Sequence, residues 1–272
     1  MNTNKCVIGI PKNTRLRTDV QPLLENALAI KQSQPGQWES PYLKNTGFVE
    51  MKIPDLVRCL RSRYLDLALI SDDKGLEERA GIENIVERSA NSGSVRMNLR
   101  DRSIERCFGL GVENPAVLRT LVREENRETA MQRLFRKTYS PVALYERGVT
   151  SYPELMSYYF RRKFGKDISG SDIWRVDGQV ESFMRSGVVP NLNYAYDIVG
   201  SGETARKFGL VSVDEEAPAG DKSYRALPSF WKSDYLYEYQ EEKLETILPE
   251  IRKRISEVVE LDERNSQEVL KS

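Results

Sequence analysis

Apolar positions along this chain fall into two spacings, short continuous runs and runs of every third and fourth residue, and the two alternate. Val7 to Ile10 is a continuous run stopped by Pro11 and reads as a buried strand. Val20, Leu23, Leu24, Ala27 and Leu28 then share one face of a helix reaching Ile30. Residues 31 to 47 are rich in Gln, Ser, Pro, Gly and Asn and predict loop and strand around a turn. Phe48 to Lys52 reads as a strand. Pro54 suits the first turn of a helix to about Arg63 with Leu56, Val57 and Leu60 inward, and Leu65 to Ile70 is the next buried strand. Strands and helices in alternation predict an α/β fold.

The pattern continues with a small polar stretch, Ser89 to Gly93, expected to be a surface loop, and a strand over Cys107 to Val112. Pro115 to Lys137, with Leu118, Leu121, Val122, Met131 and Leu134, predicts a charged amphipathic helix. Val142 to Leu144 and Gly148 to Thr150 read as strand material, and Pro153 opens a helix over Glu154 to Phe164. Trp174 to Val176 and Val180 to Phe183 bracket Gly178. Tyr194 to Val199 is a strand, Gly209 a helix terminator, and Leu210 to Val213 carries the chain back. Gln240 to Leu261 predicts a helix with Leu244, Ile247, Leu248, Ile251, Ile255, Val258 and Val259 on one side, expected to pack on its own domain, and Asp262 to Ser272 reads as a disordered polar end. No internal repeat is evident.

Composition narrows the function classes. The 272 residues suffice for one large domain or two smaller ones. Lys plus Arg and Asp plus Glu number 41 each, so no global field attracts nucleic acid, and any anion site must be local. No apolar run approaches a membrane span, and the N-terminus lacks the apolar stretch of a signal peptide, so a cytoplasmic protein without membrane contact is expected. Cys6, Cys59 and Cys107 are too few and too scattered for a disulfide framework or zinc site and read as small buried hydrophobes. The absence of histidine removes Ser-His-Asp and Cys-His systems, leaving carboxylates, cations, hydroxyls, backbone amides or a bound metal to carry any chemistry.

The strand Tyr194 to Val199 runs into Gly200-Ser201-Gly202-Glu203-Thr204 at the start of a helix. Asp197 can accept hydrogen bonds from two neighbouring ribose hydroxyls. Gly200 and Gly202 let the backbone approach an anion, and Ser201, Thr204 and the first helical N–H groups supply donors. The set would suit a 5-phosphoribosyl unit; an ordinary strand-to-helix loop is the competing reading.

Around this loop the order Gly-Val-Thr-Ser-Tyr-Pro-Glu-Leu from Gly148, Asp177-Gly178-Gln179-Val180-Glu181, Asp197 to Thr204 and Phe208-Gly209-Leu210-Val211 resembles ATP phosphoribosyltransferase, the enzyme that opens histidine biosynthesis. At the front, Ile10-Pro11-Lys12-Asn13-Thr14-Arg15-Leu16 is similar to that family's first-strand loop, and Ile53 to Glu78 to its helix and following strand. The resemblance spans roughly residues 5 to 215. It implies a two-domain type II periplasmic-binding-protein-like fold with a cleft between domains. Domain I would be 1-106 plus 209-240, domain II 107-208 with the phosphoribosyl pyrophosphate loop, and 241-272 a C-terminal helix and polar tail. Residues 113-140 would be an insertion of unknown role.

The implied activity moves the 5-phosphoribosyl group from phosphoribosyl pyrophosphate to N1 of ATP and releases pyrophosphate. Carried over residue by residue, Asp197 and Glu181 would be catalytic, Asp197 with Gly200, Ser201, Gly202, Glu203 and Thr204 would hold the donor, and Lys12 and Arg15 would hold a polyphosphate. Magnesium (Mg2+) would be bound mainly through substrate phosphates. A homo- or hetero-oligomer with a regulatory subunit resembling a histidyl-tRNA synthetase is the expected assembly, as for short-form members, which lack a histidine-binding domain. The chain departs from the family at Asn193, where an acidic residue is usual, and at Ala68 and Ser71, where glycines are usual. Those departures leave open a phosphoribosyltransferase for another base and a non-catalytic binding protein of the same fold.

Overall fold

The computed structural model describes residues 5–12, 15–92, 103–110, 117–135, 147–164, 173–189, 192–199, 202–213 and 227–269. Two units divide the chain, one comprising Met1–Gly75, Arg96–Glu113 and Leu227–Ser272, the other Leu76–Val95 and Asn114–Ala226. The elements in chain order are β1 (Cys6–Pro11), α1 (Arg15–Leu28), β2 (Lys31–Gln34), β3 (Gln37–Glu39), β4 (Thr46–Met51), α2 (Ile53–Arg61), β5 (Leu67–Ser71), α3 (Asp72–Ser92), β6 (Ile104–Gly109) and β7 (Val117–Arg123). They continue with α4 (Arg127–Phe135), β8 (Arg147–Thr150), α5 (Pro153–Phe164), β9 (Ile173–Arg175), α6 (Val180–Ser186), β10 (Leu192–Val199), α7 (Glu203–Lys207), β11 (Leu210–Ser212), β12 (Pro228–Ser233) and α8 (Glu238–Val269).

In the first unit the sheet order is β2-β3-β4-β1-β5-β12-β6. β4, β1 and β5 are parallel, while β12 runs antiparallel to both β5 and β6. The run Leu67 to Ile70 is buried throughout, as a parallel strand covered on both faces requires. On one face Ile8, Ile10, Leu67, Leu69 and Phe230 pack under α1 and α8 through Val20, Leu24, Leu28, Leu244, Ile251 and Ile255. The apolar face of the last helix is therefore covered by its own unit and is not a free surface for a partner. Its backbone stays helical through Val269, where the sequence pattern had suggested a disordered end from Asp262; adding residues to a helix costs little once its packed first turns have nucleated it.

The second unit has the order β11-β7-β10-β8-β9. β10, β8 and β9 are parallel, and β7 is antiparallel to β10 and β11. In each sheet the first of three parallel strands lies between the other two, β4-β1-β5 in one and β9-β8-β10 in the other. Beyond the third parallel strand comes an antiparallel one, β12 or β7, and then an edge strand, β6 or β11. This shared topology makes the protein α/β with a two-domain type II periplasmic-binding-protein-like fold, and it is the repeat that the residues do not display.

Two expectations are corrected here. The helix predicted over Pro115 to Lys137 is instead β7, a 3₁₀ turn at Glu124–Asn126 and the short helix α4. Leu118, Leu121 and Val122 are buried because β7 lies between two strands, so tertiary pairing overrode a helical spacing. This part of the supposed insertion is integral to the sheet. Second, Leu210–Ser212 pairs with β7, so the last return to the first unit comes at Leu227 rather than 209, and the earlier boundaries fall at Leu76, Arg96 and Asn114 rather than at 107 alone. Residues 89 to 92, expected as loop, close α3, and Val142 to Leu144 lie outside the described residues.

Cys6 and Cys107 are held as thiols by burial, which pushes Cys107 up to about 12 and Cys6 higher still, with the nearby Asp66 adding to the latter. Alkylation by iodoacetamide at pH 8 should leave both unmodified in the folded protein and label them after denaturation, read by mass spectrometry. The stabilisation from Cys107 is complete below the ordinary thiol pKa of about 8.5. It is lost as pH rises towards about 12, so the urea midpoint should fall across that alkaline window.

Candidate functional site

β8 leads through α5 to β9 on one side, and β9 leads back through α6 to β10 on the other, so the crossover direction reverses between β8 and β10. In open α/β sheets a crevice forms at the carboxyl ends of two strands that part in this way. Thr150 braces the point: its Oγ1 donates to the Tyr196 carbonyl at 2.5 Å and accepts from the Tyr152 N–H at 2.8 Å. One residue on, Ser151 Oγ accepts from the Gly178 N–H at 3.2 Å and ties the turn after β8 to the turn after β9. Gly178 and Gln179 are both left-handed, at φ 82° and 50°, a conformation that a glutamine adopts only under tertiary constraint. That turn sets Glu181, half-buried, in the first turn of α6.

β10 carries alternate side chains to opposite faces. Tyr194 and Tyr196 lie against α5, with Tyr196 stacked on Tyr159 at 5.3 Å, while Ala195 and Val199 lie against α6 and α7. Alternation puts Asp197 on the second face, half-buried, two residues before the strand ends, with Oδ1 accepting from the Ile198 N–H at 2.9 Å. The register sets Arg119 of β7 directly opposite Asp197. Reading 115 to 137 as a helix hid this cation; its legible signal was the strand-like Val117-Leu118 and Leu121-Val122 content around it.

Gly202 caps α7 at φ 71°, a true left-handed residue, and its carbonyl accepts from the Arg206 N–H at 3.0 Å. Glu203 and Thr204 are exposed, and the Glu203 carboxylate pairs with Lys207 at 2.8 Å along the outer face of the helix. Gly200 and Ser201 lie outside the described residues. α7 has only five residues, so the macrodipole contribution anticipated from a helix N-terminus is small, and individual N–H and hydroxyl donors would have to hold an anion. The start of α5 is already occupied: both oxygens of Glu77 accept from the N–H groups of Glu154 and Leu155, at 3.0 and 2.7 Å.

Asn193, one of the departures noted above, falls where the β10–β8 register slips between Leu192 and Tyr194. A bulge there changes what the start of β10 presents. In the first unit, Lys12 is exposed at the carboxyl end of β1, its N–H donating to the Met51 carbonyl at 2.9 Å, and Arg15 is the first residue of α1. These two are on a different unit from Asp197 and Glu181. Ala68 is fully buried between Gly9 and Trp231 in the sheet, so its methyl group is taken up in packing; Ser71 is the departure that reaches a strand end. Among the described residues no group of three or more Cys, Asp or Glu converges to hold a metal ion. Among them too, no helix is long and apolar enough to cross a membrane.

No protein-family model and no curated protein matches this chain. Solved structures do. The ATP phosphoribosyl transferase (HisG:HisZ) complex from Thermotoga maritima aligns with a TM-score of 0.59 and 15% identity, over 93% of this chain and 99% of that one. YhfZ from Shigella flexneri aligns at 0.48 and 14%, over 96% and 93%. The alkanesulfonate-binding protein SsuA from Xanthomonas axonopodis pv. citri aligns at 0.45 and 12%, over 97% and 76%. The first of these shows that the chain shares the fold of an ATP phosphoribosyl transferase.

Proposed function

We propose that the protein is a phosphoribosyltransferase of the ATP phosphoribosyltransferase type, acting in histidine biosynthesis in the cytoplasm. The observation that carries this reading is the β10 loop: a carboxylate two residues from a strand end, a left-handed glycine and a helix start, at the point where the second sheet reverses its crossovers. The 5-phosphate of phosphoribosyl pyrophosphate rests on Ser201, Thr204 and the backbone from Gly200 to Glu203, and Asp197 takes the ribose hydroxyls. Glu203, turned out toward Lys207, keeps its charge off the phosphate. Lys12 and Arg15 take the polyphosphate of ATP.

In the reaction the bond from ribose C1 to pyrophosphate breaks, pyrophosphate leaves with the electron pair, and N1 of ATP bonds to C1 through an oxocarbenium-like transition state. Such chemistry asks the protein for positioning and charge rather than for an imidazole. Magnesium supplies charge neutralisation on the leaving group, and the carboxylates Asp197 and Glu181 are hard oxygen donors of the kind it accepts. The HisG:HisZ partnership of the Thermotoga assembly is the basis for proposing a regulatory partner and an oligomer here. Ser71, at the end of β5, favours keeping a base other than ATP as the second reading.

The test is incubation with phosphoribosyl pyrophosphate, magnesium and a panel of ATP and free bases, followed by mass analysis. A phosphoribosyl-ATP adduct with equimolar pyrophosphate is expected. An adduct with a free base instead would transfer the reading to another acceptor, and no consumption of donor would sink it. Asp197→Asn should weaken donor binding by about 1.5–3 kcal/mol, tenfold or more, since a hydrogen bond to a charged acceptor is lost. Calorimetric donor affinity equal to the parent would remove Asp197 from the site.

A further inference from the structure

The pairing of β6 with β12 contains one extra residue. Phe108 faces Phe230 and Arg106 faces Trp231, so Cys107 has no opposite number and forms a bulge. Its carbonyl accepts from Arg252 of α8 at 3.4 Å. Without the bulge Arg106 would share a face with Phe108, which packs with Phe230 in the core beneath α1 and α8, and a guanidinium there would be desolvated at great cost. With it, Arg106 lies on the other face, with Trp231, Ser229 and the start of α3.

There the side chain is anchored by one nitrogen. Nε donates to both oxygens of Asp72, at 2.8 and 3.0 Å, and to Ser229 Oγ at 3.2 Å. Both anchors are buried, Asp72 at 6% exposure and Ser229 at 0%. Burial pushes the Asp72 carboxyl up, and the bonds from Arg106 and Ser229 draw it back. The two terminal nitrogens have no partner among the described residues, and the side chain is 41% exposed. Gly109 leaves the room they occupy, since a β-carbon there would stand 2.5 Å from Nη2. The group sits where β6 ends at Gly109 and β5 ends at Ser71, on the carboxyl edge of the first sheet.

We propose that Arg106, aimed by the Cys107 bulge and held by Asp72 and Ser229, is a binding residue for an oxyanionic group, a carboxylate or a phosphate, of a small-molecule ligand. A guanidinium pinned through Nε keeps its terminal N–H fork free and oriented, the geometry that accepts such a group end-on. Asp73, buried on the same turn, opposes a second negative charge, so affinity for a bare ion is expected near about 1 mM rather than tighter. The inference stands whether or not the β10 loop binds a phosphoribosyl group.

Calorimetric titration of the full chain with inorganic phosphate, and separately with acetate, tests it. Saturable binding of at least one ion is expected, lowered tenfold or more in Arg106→Gln and lowered also in Gly109→Ala, where the added methyl crowds the guanidinium. Arg106→Lys keeps the charge facing Asp72 but lacks the fork, so it separates loss of recognition from loss of folding, which far-ultraviolet circular dichroism reads. Gly202→Val should leave this Arg106-dependent binding in place, which distinguishes it from an ion on the β10 loop. The ion that binds more tightly identifies the ligand group. No saturable binding of either ion below about 50 mM, or equal binding in the parent and both well-folded Arg106 variants, overturns the proposal.

Discussion

Gly75→Ala should destabilise the protein by about 1–3 kcal/mol even though it places a better helix former inside α3. A β-carbon at this position would fall within the contact radius of three atoms of the Trp231 ring. That ring is among the largest fully buried side chains, paired across the sheet to Ala68 and Arg106, and it has no flexible end to move aside. The propensity gain of alanine over glycine is about 1 kcal/mol, which overpacking against a rigid ring exceeds. Urea unfolding followed by tryptophan emission should show a lower midpoint. The double variant with Trp231→Phe should recover part of the loss, because a smaller ring vacates the contested space. An unchanged midpoint in Gly75→Ala would mean that α3 shifts freely on the sheet.

Gly202→Val should reduce donor affinity tenfold or more while lowering the melting temperature by only about 2–8 °C. At φ 71° a β-branched residue costs roughly 1–2 kcal/mol locally, but the nearest atom to an added β-carbon is Val199 Cγ1 at 3.8 Å, so no packing clash accompanies it. The effect is therefore concentrated in the turn and in whatever occupies the open space beside it. Gly202→Asn, which tolerates the left-handed region, should keep more binding than the valine variant. Added magnesium should not rescue either, since the defect is conformational. Near-parental donor affinity in Gly202→Val would place the phosphate elsewhere.

The candidate site was legible where its chemistry is local. Asp197, Gly202 and Thr204 lie within eight positions, Gly209 ends α7 in the left-handed region as its place after Phe208 suggested, and Pro153 opens α5. Arg119 was hidden because Leu118, Leu121 and Val122 satisfy a helical spacing as well as a strand one, and only pairing with β10 decides between them. Arg106 was hidden for a related reason. A one-residue bulge reverses the face of every residue beyond it, and nothing in Glu-Arg-Cys-Phe announces that slip. Ser151 and Glu77 act through backbone N–H groups 27 and 77 positions away, a separation that no spacing rule spans.

By itself the sequence determined the α/β class, the strands and helices of most of the chain, the absence of histidine chemistry and the one loop with phosphate-binding composition, since each depends on neighbours within a few turns of chain. The tertiary structure alone decided the rest. It gave 117–123 to an interior strand and 210–212 to the second sheet, because burial of an apolar face is settled by the surface that meets it. It also revealed that in both sheets three parallel strands are followed by an antiparallel strand, β12 or β7, and then by an edge strand. That order rests on strand pairs far apart in the chain, such as Ser71 with Pro228 in one sheet and Val117 with Val199 in the other, and a free energy distributed over such distant pairs leaves no local pattern to read.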